Sequence, residues 1–332
     1  MGSRLAGVEV HLPERCLSST EVEALVGPYR PSPGLLARLT GIRSRHVAAA
    51  DEQASDLAAA AARKLLAGTG TASDEVDLLL FASASQDLVE PATAHIVAAA
   101  LGLSCPVMDV KNACNSVLNA LEVADALIRT GRYRTVLVAS GETPSRAVRW
   151  EVGDLRAFLR SFAGYTLSDA GAALLVAASD PGRPAGVRGF GFTADSRHWG
   201  AGTLGAGGSR HPRDVEHTYF AMDAAALKAA FLDVGTGVLD TTLHRLGIGW
   251  DDCAVVAVHQ VSLPYLQVFA DRAGVPREKL VVTVDAHGNA ASASLPLQLV
   301  TAREQGRCGP GDLVALVGLA GGVSLGLGVV EL

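Results

Sequence analysis

Hydrophobic residues in this chain form short unbroken runs between polar segments, a pattern typical of strands covered on both faces. Two such runs begin 175 residues apart, DLLLFASAS at Asp77 and DCAVVAVHQ at Asp252. The same offset relates Cys114, in DVKNACNSVLNAL, to Asn289, in VDAHGNAASASLPL. Self-similarity at one fixed spacing indicates an internal duplication of the chain.

Each copy continues with a helix and another apolar strand. After Cys114, apolar residues recur at helical spacing until the stop signal at Thr130-Gly131, and the second copy predicts a helix over Ser294–Glu304. The strands that follow are TVLVASGE and DLVALVGLAGG. Parallel strands need crossovers of this length, so we predict an α/β protein of two βαβ-rich halves, residues 1–175 and 176–332.

Two segments have no counterpart in this repeat, and a third run is long enough to be mistaken for a membrane span. Residues 145–167 and 195–217 have no counterpart and are predicted to be long loops that line a substrate channel or a dimer contact. The Gly-rich run AGTLGAGG in the second loop resembles a flexible lid more than a phosphate loop. The uncharged run 313–330 carries five glycines, which favours two buried strands around a Gly-Gly turn over a membrane span.

Composition narrows the class of protein. With 49% hydrophobic and 19% charged residues, the 332-residue chain is not disordered, and its net charge of -6 argues against a nucleic-acid partner. The five cysteines form no CxxC pair and no zinc-finger spacing, which predicts a reducing compartment and no structural metal. The N-terminus has no apolar signal region, so we expect a cytoplasmic enzyme.

Three residues of reactive type fall at the ends of predicted elements. Cys114 opens a helix, where the positive end of the helix dipole is expected to lower the pKa of its thiol. His259 ends the apolar run AVVAVHQ, and Asn289 follows VVTVDA, which is predicted to be a strand. A Cys/His/Asn set suits acyl transfer, in which the sulfur attacks a thioester and the other two groups hold the oxyanion.

Each of these residues also fits a purely structural role. A buried cysteine in an Ala/Leu-rich helix commonly serves as a small hydrophobic residue. A histidine at a strand end is often a core or capping residue, and Asn289 in HGNAAS fits a turn or an N-cap. The shared offset favours the joint catalytic interpretation of Cys114, His259 and Asn289.

The segments DVKNACNSVLNAL, AVHQVSLPYL and DAHGNAASASLPL, followed by LAGGVSLGLG, resemble the thiolase-fold condensing enzymes of the β-ketoacyl-acyl-carrier-protein synthase III branch. This resemblance implies a thiolase-like αβαβα five-layer fold made of two duplicated halves, a homodimer and a Cys/His/Asn triad. It also implies that Cys114 is the acylated nucleophile and that His259 and Asn289 form one oxyanion hole. The backbone N–H groups of Cys114 and Gly321 would form a second oxyanion hole.

Glu90 points to a narrower group within this family. The combination of VEPATA, NACNSVLNAL and SGET is similar to the olefin-pathway, head-to-head acyl-CoA condensing enzymes. That resemblance implies that a glutamate from the other subunit, here Glu90, removes the α-proton of the second acyl thioester. A carboxylate in an apolar channel has a raised pKa and is a better proton acceptor. The alternative is an exposed loop carboxylate before Pro91.

We therefore expect an acyltransferase that joins two acyl thioesters by Claisen condensation, giving a 2-alkyl-3-oxoacyl product. Its partners would be acyl-CoA or an acyl carrier protein, with no cofactor and no metal. Two other reactions stay open: decarboxylative condensation with a malonyl extender, and acyl transfer to oxygen or nitrogen. A heterodimer with a related synthase, to which this chain supplies Glu90, is the alternative to a homodimer.

Overall fold

The computed structural model describes residues 2–180 and 186–332. Within them, the strands and helices follow the apolar runs and helical stripes of the sequence. The strands are β1 (Ser3–His11), β2 (Cys16–Ser18), β3 (Gly27–Pro28), β4 (Ser44–His46), β5 (Leu78–Ala82), β6 (Val107–Val110), β7 (Thr135–Glu142), β8 (Glu151–Val152), β9 (Ala170–Ala178), β10 (Val187–Ala194), β11 (Gly202–Thr203), β12 (Ala221–Met222), β13 (Cys253–Val258), β14 (Leu313–Ala320) and β15 (Ser324–Glu331). The α-helices are α1 (Ser19–Leu25), α2 (Leu35–Thr40), α3 (Ala54–Thr69), α4 (Thr93–Leu101), α5 (Ser116–Arg129), α6 (Leu155–Ser161), α7 (Ala224–Val234), α8 (Gly237–Leu246), α9 (Leu263–Ala273), α10 (Val284–His287) and α11 (Ser294–Glu304).

Two mixed sheets form the framework. The first has the strand order β1-β9-β7-β5-β6, in which β5 pairs in parallel with both β6 and β7, while β9 runs antiparallel to its neighbours. The second has the order β10-β15-β14-β13, and only β13 and β14 are parallel. The predicted strands TVLVASGE and DLVALVGLAGG are β7 and β14, and the predicted helix Ser294–Glu304 is α11.

The helices α5 and α11 lie between the two sheets. Their buried apolar residues share one cluster with side chains from the facing sides of both sheets, among them Leu118, Leu299 and Leu316. The other face of the first sheet packs on α3 and α4, and the other face of the second sheet packs on α8 and α9. The layers therefore follow the order αβαβα, which confirms the predicted five-layer fold.

Alternation along the strands explains why both faces of each sheet are apolar. In β5, Leu78 and Leu80 join the central cluster, while Leu79 and Phe81 join the outer cluster with α3 and α4. Because successive side chains of a strand point to opposite faces, a strand buried on both sides must be apolar at every position. This requirement produces the unbroken runs from which the strands were predicted.

The predicted limits of the two halves fall close to the boundary between the sheets. The first sheet uses strands between Ser3 and Ala178, and the second uses strands between Val187 and Glu331. The predicted boundary at 175/176 lies inside β9, so the last strand of the first sheet continues past it. The division of the chain into two duplicated halves stays a prediction.

The structure corrects the prediction for one of the three segments 145–167, 195–217 and 313–330 and confirms the other two. The segment 145–167 is not a plain loop, because it contains α6, whose N-cap Asp154 accepts a hydrogen bond from the Ala157 N–H at 2.7 Å. The segment 195–217 does consist of short 3₁₀ turns, bends and strand β11. The run 313–330 forms the antiparallel pair β14 and β15, and no described helix is long and apolar enough to cross a membrane.

Candidate active site

Cys114 lies in a tight turn between β6 and α5. The preceding Ala113 has a φ of +46°, in the left-handed region. Ser116 closes the turn, because its Oγ donates to the Ala113 carbonyl at 2.7 Å and accepts from the Asn112 N–H at 2.9 Å. Helix α5 begins at Ser116, so the predicted placement of Cys114 at a helix N-terminus is confirmed. The residue as a whole is only partly exposed.

The Cys114 thiol is less acidic than the sequence predicted. Its enclosure by protein, together with the nearby carboxylate of Glu142, raises the pKa of the thiol to about 12. A helix N-terminus favours the thiolate, but here desolvation and a like charge outweigh that effect. The prediction of a lowered pKa is therefore wrong. A reaction at this sulfur needs a second group that accepts the thiol proton.

Glu142 is a site residue that the sequence analysis missed. It ends β7, is fully buried, and accepts hydrogen bonds from Ala84, Ser85 and Ser292 at 2.5–3.3 Å. Burial raises the pKa of this carboxyl group, while hydrogen bonds from Ser292, Ala84 and Ser85 act in the opposite direction. The available sequence signal is a carboxylate at the end of the apolar run TVLVASGE. Glu142 connects the surroundings of Cys114 to the 3₁₀ turn at 291–293.

His259 directly follows β13 and extends its pairing, since its N–H donates to the Val317 carbonyl at 2.8 Å. The side chain is buried, and neither ring nitrogen has a hydrogen-bond partner among the described residues. Burial lowers the pKa of His259 to about 4, and a weaker interaction with the Ala291 backbone opposes this shift. The ring is therefore neutral at neutral pH and offers one N–H donor and one acceptor nitrogen.

Asn289 is held by backbone contacts to the first half of the chain. Its N–H donates to the Thr166 carbonyl at 2.8 Å, and its carbonyl accepts from the Ser168 N–H at 2.9 Å. Its side-chain Oδ1 accepts from the Ala291 N–H at 3.0 Å. Because a backbone N–H can only donate, this contact identifies the oxygen of the amide. The Nδ2 group makes no hydrogen bond within the described ranges and is available to a ligand oxygen.

The segment before Asn289 is not the predicted strand. Residues 281–283 form no strand and lead into the single turn of α10, although the Val281 N–H donates to the Val256 carbonyl of β13 at 3.4 Å. The side chain of Gln260 explains this, because its Oε1 accepts from the N–H groups of Thr283 and Val284 at 3.1 and 3.0 Å. Its Nε2 donates to the Val281 carbonyl. Backbone groups that bond to a side chain are not available to a neighbouring strand.

The turn that carries Gly321 is tied to the residue after Cys114. Asn115 is fully buried, and its Nδ2 donates to Ser324 Oγ at 2.8 Å, directly after the turn between β14 and β15. On the other side, a Cβ on Gly318 would lie only 2.0 Å from Asn115 Oδ1, so a glycine is required there. These contacts fix the Gly321 turn relative to Cys114.

Glu90 stands apart from these residues. Its side chain is exposed, and the residues described give its carboxylate no hydrogen bond or ion pair. It is not among the charges that shift the pKa of Cys114 or His259, whereas Glu142 shifts that of Cys114. Within one chain, Glu90 is thus a surface carboxylate rather than a group in an apolar channel. Its exposed neighbours Leu88 and Val89 are apolar.

Comparison with known proteins identifies the family. Residues 108–196 match the family described as 3-oxoacyl-[acyl-carrier-protein] synthase III, and residues 243–332 match the C-terminal part of that family. The β-ketoacyl-[acyl-carrier-protein] synthase III of Xanthomonas oryzae pv. oryzae is 34% identical over 98% of this chain and 96% of that protein. The enzyme of the same name from Thiobacillus denitrificans is 33% identical over 98% and 97%.

Solved structures agree with the sequence relatives. A crystal structure of a 3-oxoacyl-(acyl-carrier-protein) synthase III has a TM-score of 0.90 and 26% identity and covers both chains completely. Xanthomonas campestris OleA with bound lauric acid and lauroyl-CoA has a TM-score of 0.87 and 26% identity, covering 100% of this chain and 99% of that one. The chain therefore belongs to the 3-oxoacyl-[acyl-carrier-protein] synthase III family of thiolase-fold condensing acyltransferases.

Proposed function

We propose that this enzyme joins two acyl thioesters by a non-decarboxylative Claisen condensation through an acyl-Cys114 intermediate, giving a 2-alkyl-3-oxoacyl thioester. The observation that carries the proposal is the set of unpaired polar groups on His259 and Asn289. The His259 ring nitrogens and the Asn289 Nδ2 group lack protein partners in the described part of the chain. Buried polar groups without partners are costly, and a substrate carbonyl oxygen would accept hydrogen bonds from the N–H groups of His259 and Asn289.

In the first step, His259 accepts the thiol proton while the Cys114 sulfur attacks the thioester carbonyl carbon of the donor. A proton acceptor is needed because the pKa of the thiol is about 12, and His259 is neutral and able to accept. The C–S bond to CoA or carrier protein breaks, and the leaving thiolate takes the proton from His259. The N–H groups of Cys114 and Gly321 would hold the oxyanion.

In the second step, a base removes the α-proton of the second acyl thioester, and the resulting enolate attacks the carbonyl carbon of acyl-Cys114. As the C–C bond forms, the C–S bond to Cys114 breaks, and the released Cys114 thiolate takes a proton from the protonated base. We assign this role to Glu90 of the partner subunit, because Glu90 is exposed and unpaired in its own chain. His259 and Asn289 would donate hydrogen bonds to the enolate oxygen. Every step is a proton or acyl transfer, so the route requires no bound cofactor.

A homodimer would supply this carboxylate to the neighbouring site. Strand β6 lies at the edge of the first sheet, and Met108 on this strand is 43% exposed. Leu88 and Val89, next to Glu90, are 51% and 67% exposed. An apolar patch beside an unpaired strand edge is typical of a subunit interface. We propose that this surface pairs with its copy and carries Glu90 into the partner.

Decarboxylative condensation is the second candidate, and the names of the sequence relatives favour it. Loss of CO₂ from a malonyl thioester generates the carbanion, so that reaction needs no base. Incubating the protein with a panel of acyl-CoAs, with and without malonyl thioester, distinguishes the two reactions. We expect 2-alkyl-3-oxoacyl products, or the acids derived from them, from acyl-CoA alone. A product that forms only with malonyl thioester and releases CO₂ would exclude our proposal.

Two variants test the assigned residues. Cys114→Ala should form no acyl-enzyme adduct in intact-mass measurements, and Cys105→Ala, which changes a half-buried cysteine elsewhere, should form it normally. Glu90→Gln should still accumulate the adduct but fail to condense acyl-CoA. Unchanged turnover of Glu90→Gln would remove Glu90 from the mechanism while leaving the nucleophile in place.

A further inference from the structure

A second cluster of reactive side chains lies outside the candidate active site, in the segment between β11 and β12. The two strands pair with each other and close the base of this segment. Within it, a ligand atom from each of His211, Asp214 and His217 lies within 4.8 Å of the other two. The spacing is His-x₂-Asp-x₂-His, which differs from the Cys/His spacing of zinc fingers.

Backbone hydrogen bonds of the Gly-rich run bring the two histidines together. The N–H groups of Gly205 and Ala206 donate to the His217 carbonyl at 3.1 and 2.9 Å, and the Gly207 N–H donates to the His211 carbonyl at 3.1 Å. The two imidazole rings consequently stack with centroids 3.4 Å apart. No residue of the described ranges forms a hydrogen bond to either ring.

One carboxylate oxygen of Asp214 accepts a hydrogen bond, and the other makes none in the described part of the chain. Its Oδ1 accepts from the Glu216 N–H at 3.0 Å and caps the 3₁₀ turn Val215–Thr218. Its Oδ2 lies 3.6 Å from His217 Nε2, too long for a hydrogen bond. The cap fixes the carboxylate beside the two rings. The cluster thus offers two imidazole nitrogens and one carboxylate oxygen that make no hydrogen bond within the described residues.

We propose that His211, Asp214 and His217 bind one Zn²⁺ ion, with solvent as the remaining ligand. Two imidazoles and a carboxylate form a donor set that suits zinc, whereas magnesium and calcium prefer oxygen ligands. Tetrahedral zinc needs donor atoms roughly 3.3 Å apart, and the three ligand atoms lie within 4.8 Å of one another, so binding requires only a small closure of the loop.

The proposed zinc site lies next to the segment that carries Glu90. A Cβ on Gly207 would lie 3.2 Å from Val89 Cγ2, so the segment rests against the residue that precedes Glu90. Zinc bound by three side chains of one loop restricts that loop. The metal would therefore stiffen the surface that adjoins Glu90. This inference does not depend on the condensation chemistry.

Metal retention after desalting tests the proposal directly. We expect the wild-type protein, loaded with ZnSO₄ at pH 7.5, to retain one zinc per chain by mass spectrometry. His211→Ala and His217→Ala should retain none, with zinc affinity at least about 100-fold weaker in competition with a chromophoric chelator. Asp214→Asn keeps the cap and should weaken binding as well. His198→Ala is the matched control, because His198 lies near Asp195 and Asp233 but supplies a single imidazole.

Tryptic cleavage gives a second measurement that is independent of activity. Arg210 and Arg213 flank His211 and are exposed, so trypsin can reach both. Zinc should slow cleavage after these arginines in wild type and His198→Ala, and should leave it unchanged in His211→Ala and His217→Ala. Absence of zinc from the wild type, or equal retention and equal cleavage in the wild type and both histidine variants, would overturn the proposal.

Discussion

The thiol of Cys114 is protonated at neutral pH, and its reactivity therefore depends on its neighbours. A pKa of about 12 arises from enclosure by protein and from the Glu142 carboxylate. Five hydrogen-bond donors surround that carboxylate, three of them backbone N–H groups that can only donate. Burial raises the pKa of Glu142 and these donors oppose that shift, and the negative charge of an ionised Glu142 disfavours a thiolate at Cys114. Proton acceptance by neutral His259 avoids a free thiolate in the resting enzyme.

Replacing Glu142 tests this electrostatic link. Glu142→Gln removes the negative charge while keeping the size of the side chain, so the pKa of the thiol should fall. We expect the pH at which iodoacetamide alkylation of Cys114 is half-maximal to shift downward by about one unit. Mass spectrometry of the Cys114 peptide as a function of pH measures the shift.

Glu122→Gln is the control for that experiment. Glu122 lies on α5 but does not contribute to the raised pKa of Cys114, so its alkylation profile should match the wild type. An unchanged profile in Glu142→Gln would mean that Glu142 carries no charge near the sulfur. The measurement reports on the thiol itself and does not require catalytic turnover.

At the scale of elements, the turn before α5 and the turn after β14 form one unit. Asn115 joins them through Ser324, and the absent side chain of Gly318 makes room for Asn115 Oδ1. The N–H groups of Cys114 and Gly321 lie on the two sides of this link. The relative position of these two N–H groups therefore depends on how closely the two turns pack. It does not depend on the side chains of Cys114 and Gly321.

Gly318→Ala should disturb this unit. The new Cβ would lie 2.0 Å from Asn115 Oδ1 and 3.0 Å from Leu118 Cδ2, so one or both must move. We expect the free energy of unfolding to fall by about 1–3 kcal/mol in urea titrations. Gly68→Ala, in α3 with open space around its Cβ, should instead gain about 0.5–1 kcal/mol. Equal stability of Gly318→Ala and wild type would contradict the close contact.

The elements that could be predicted from the sequence are those whose burial determines the order of their apolar and polar residues. Strands β5, β7, β13 and β14 are apolar because both faces are covered, and α11 matches its predicted bounds. The segment before Asn289 has the same apolar appearance, but the side chain of Gln260 takes its backbone hydrogen bonds. A long-range side-chain contact of this kind leaves no periodic signal in the sequence.

Some residues of the candidate site could likewise be predicted from the sequence, and others could not. The repeat offset singled out Cys114 and Asn289, and the strand end singled out His259. Glu142 was missed because one carboxylate at the end of a strand has no pattern around it, and its role depends on donors from distant segments. The raised pKa of Cys114 was missed because helix position is local, whereas burial and the charge of Glu142 arise from tertiary packing.

At the scale of the whole molecule, the site draws residues from both halves of the chain. Cys114 precedes a central helix, His259 follows a strand of the second sheet, and Asn289 is held by the segment 166–168. Glu90 alone lies on the surface, beside the exposed edge of the first sheet. The proposed condensation is therefore complete only if a second copy brings its own Glu90.

Mixed dimers of two inactive variants test whether Glu90 acts across the interface. A heterodimer of Glu90→Gln and Cys114→Ala, isolated with two different tags, contains one site in which an intact Cys114 meets an intact Glu90 of the partner subunit. That single site should restore about half of the wild-type condensation rate per dimer. If Glu90 served its own chain, neither site would hold both groups and the heterodimer would stay inactive. Each homodimeric variant, measured beside it, supplies the inactive baseline from which restoration is judged.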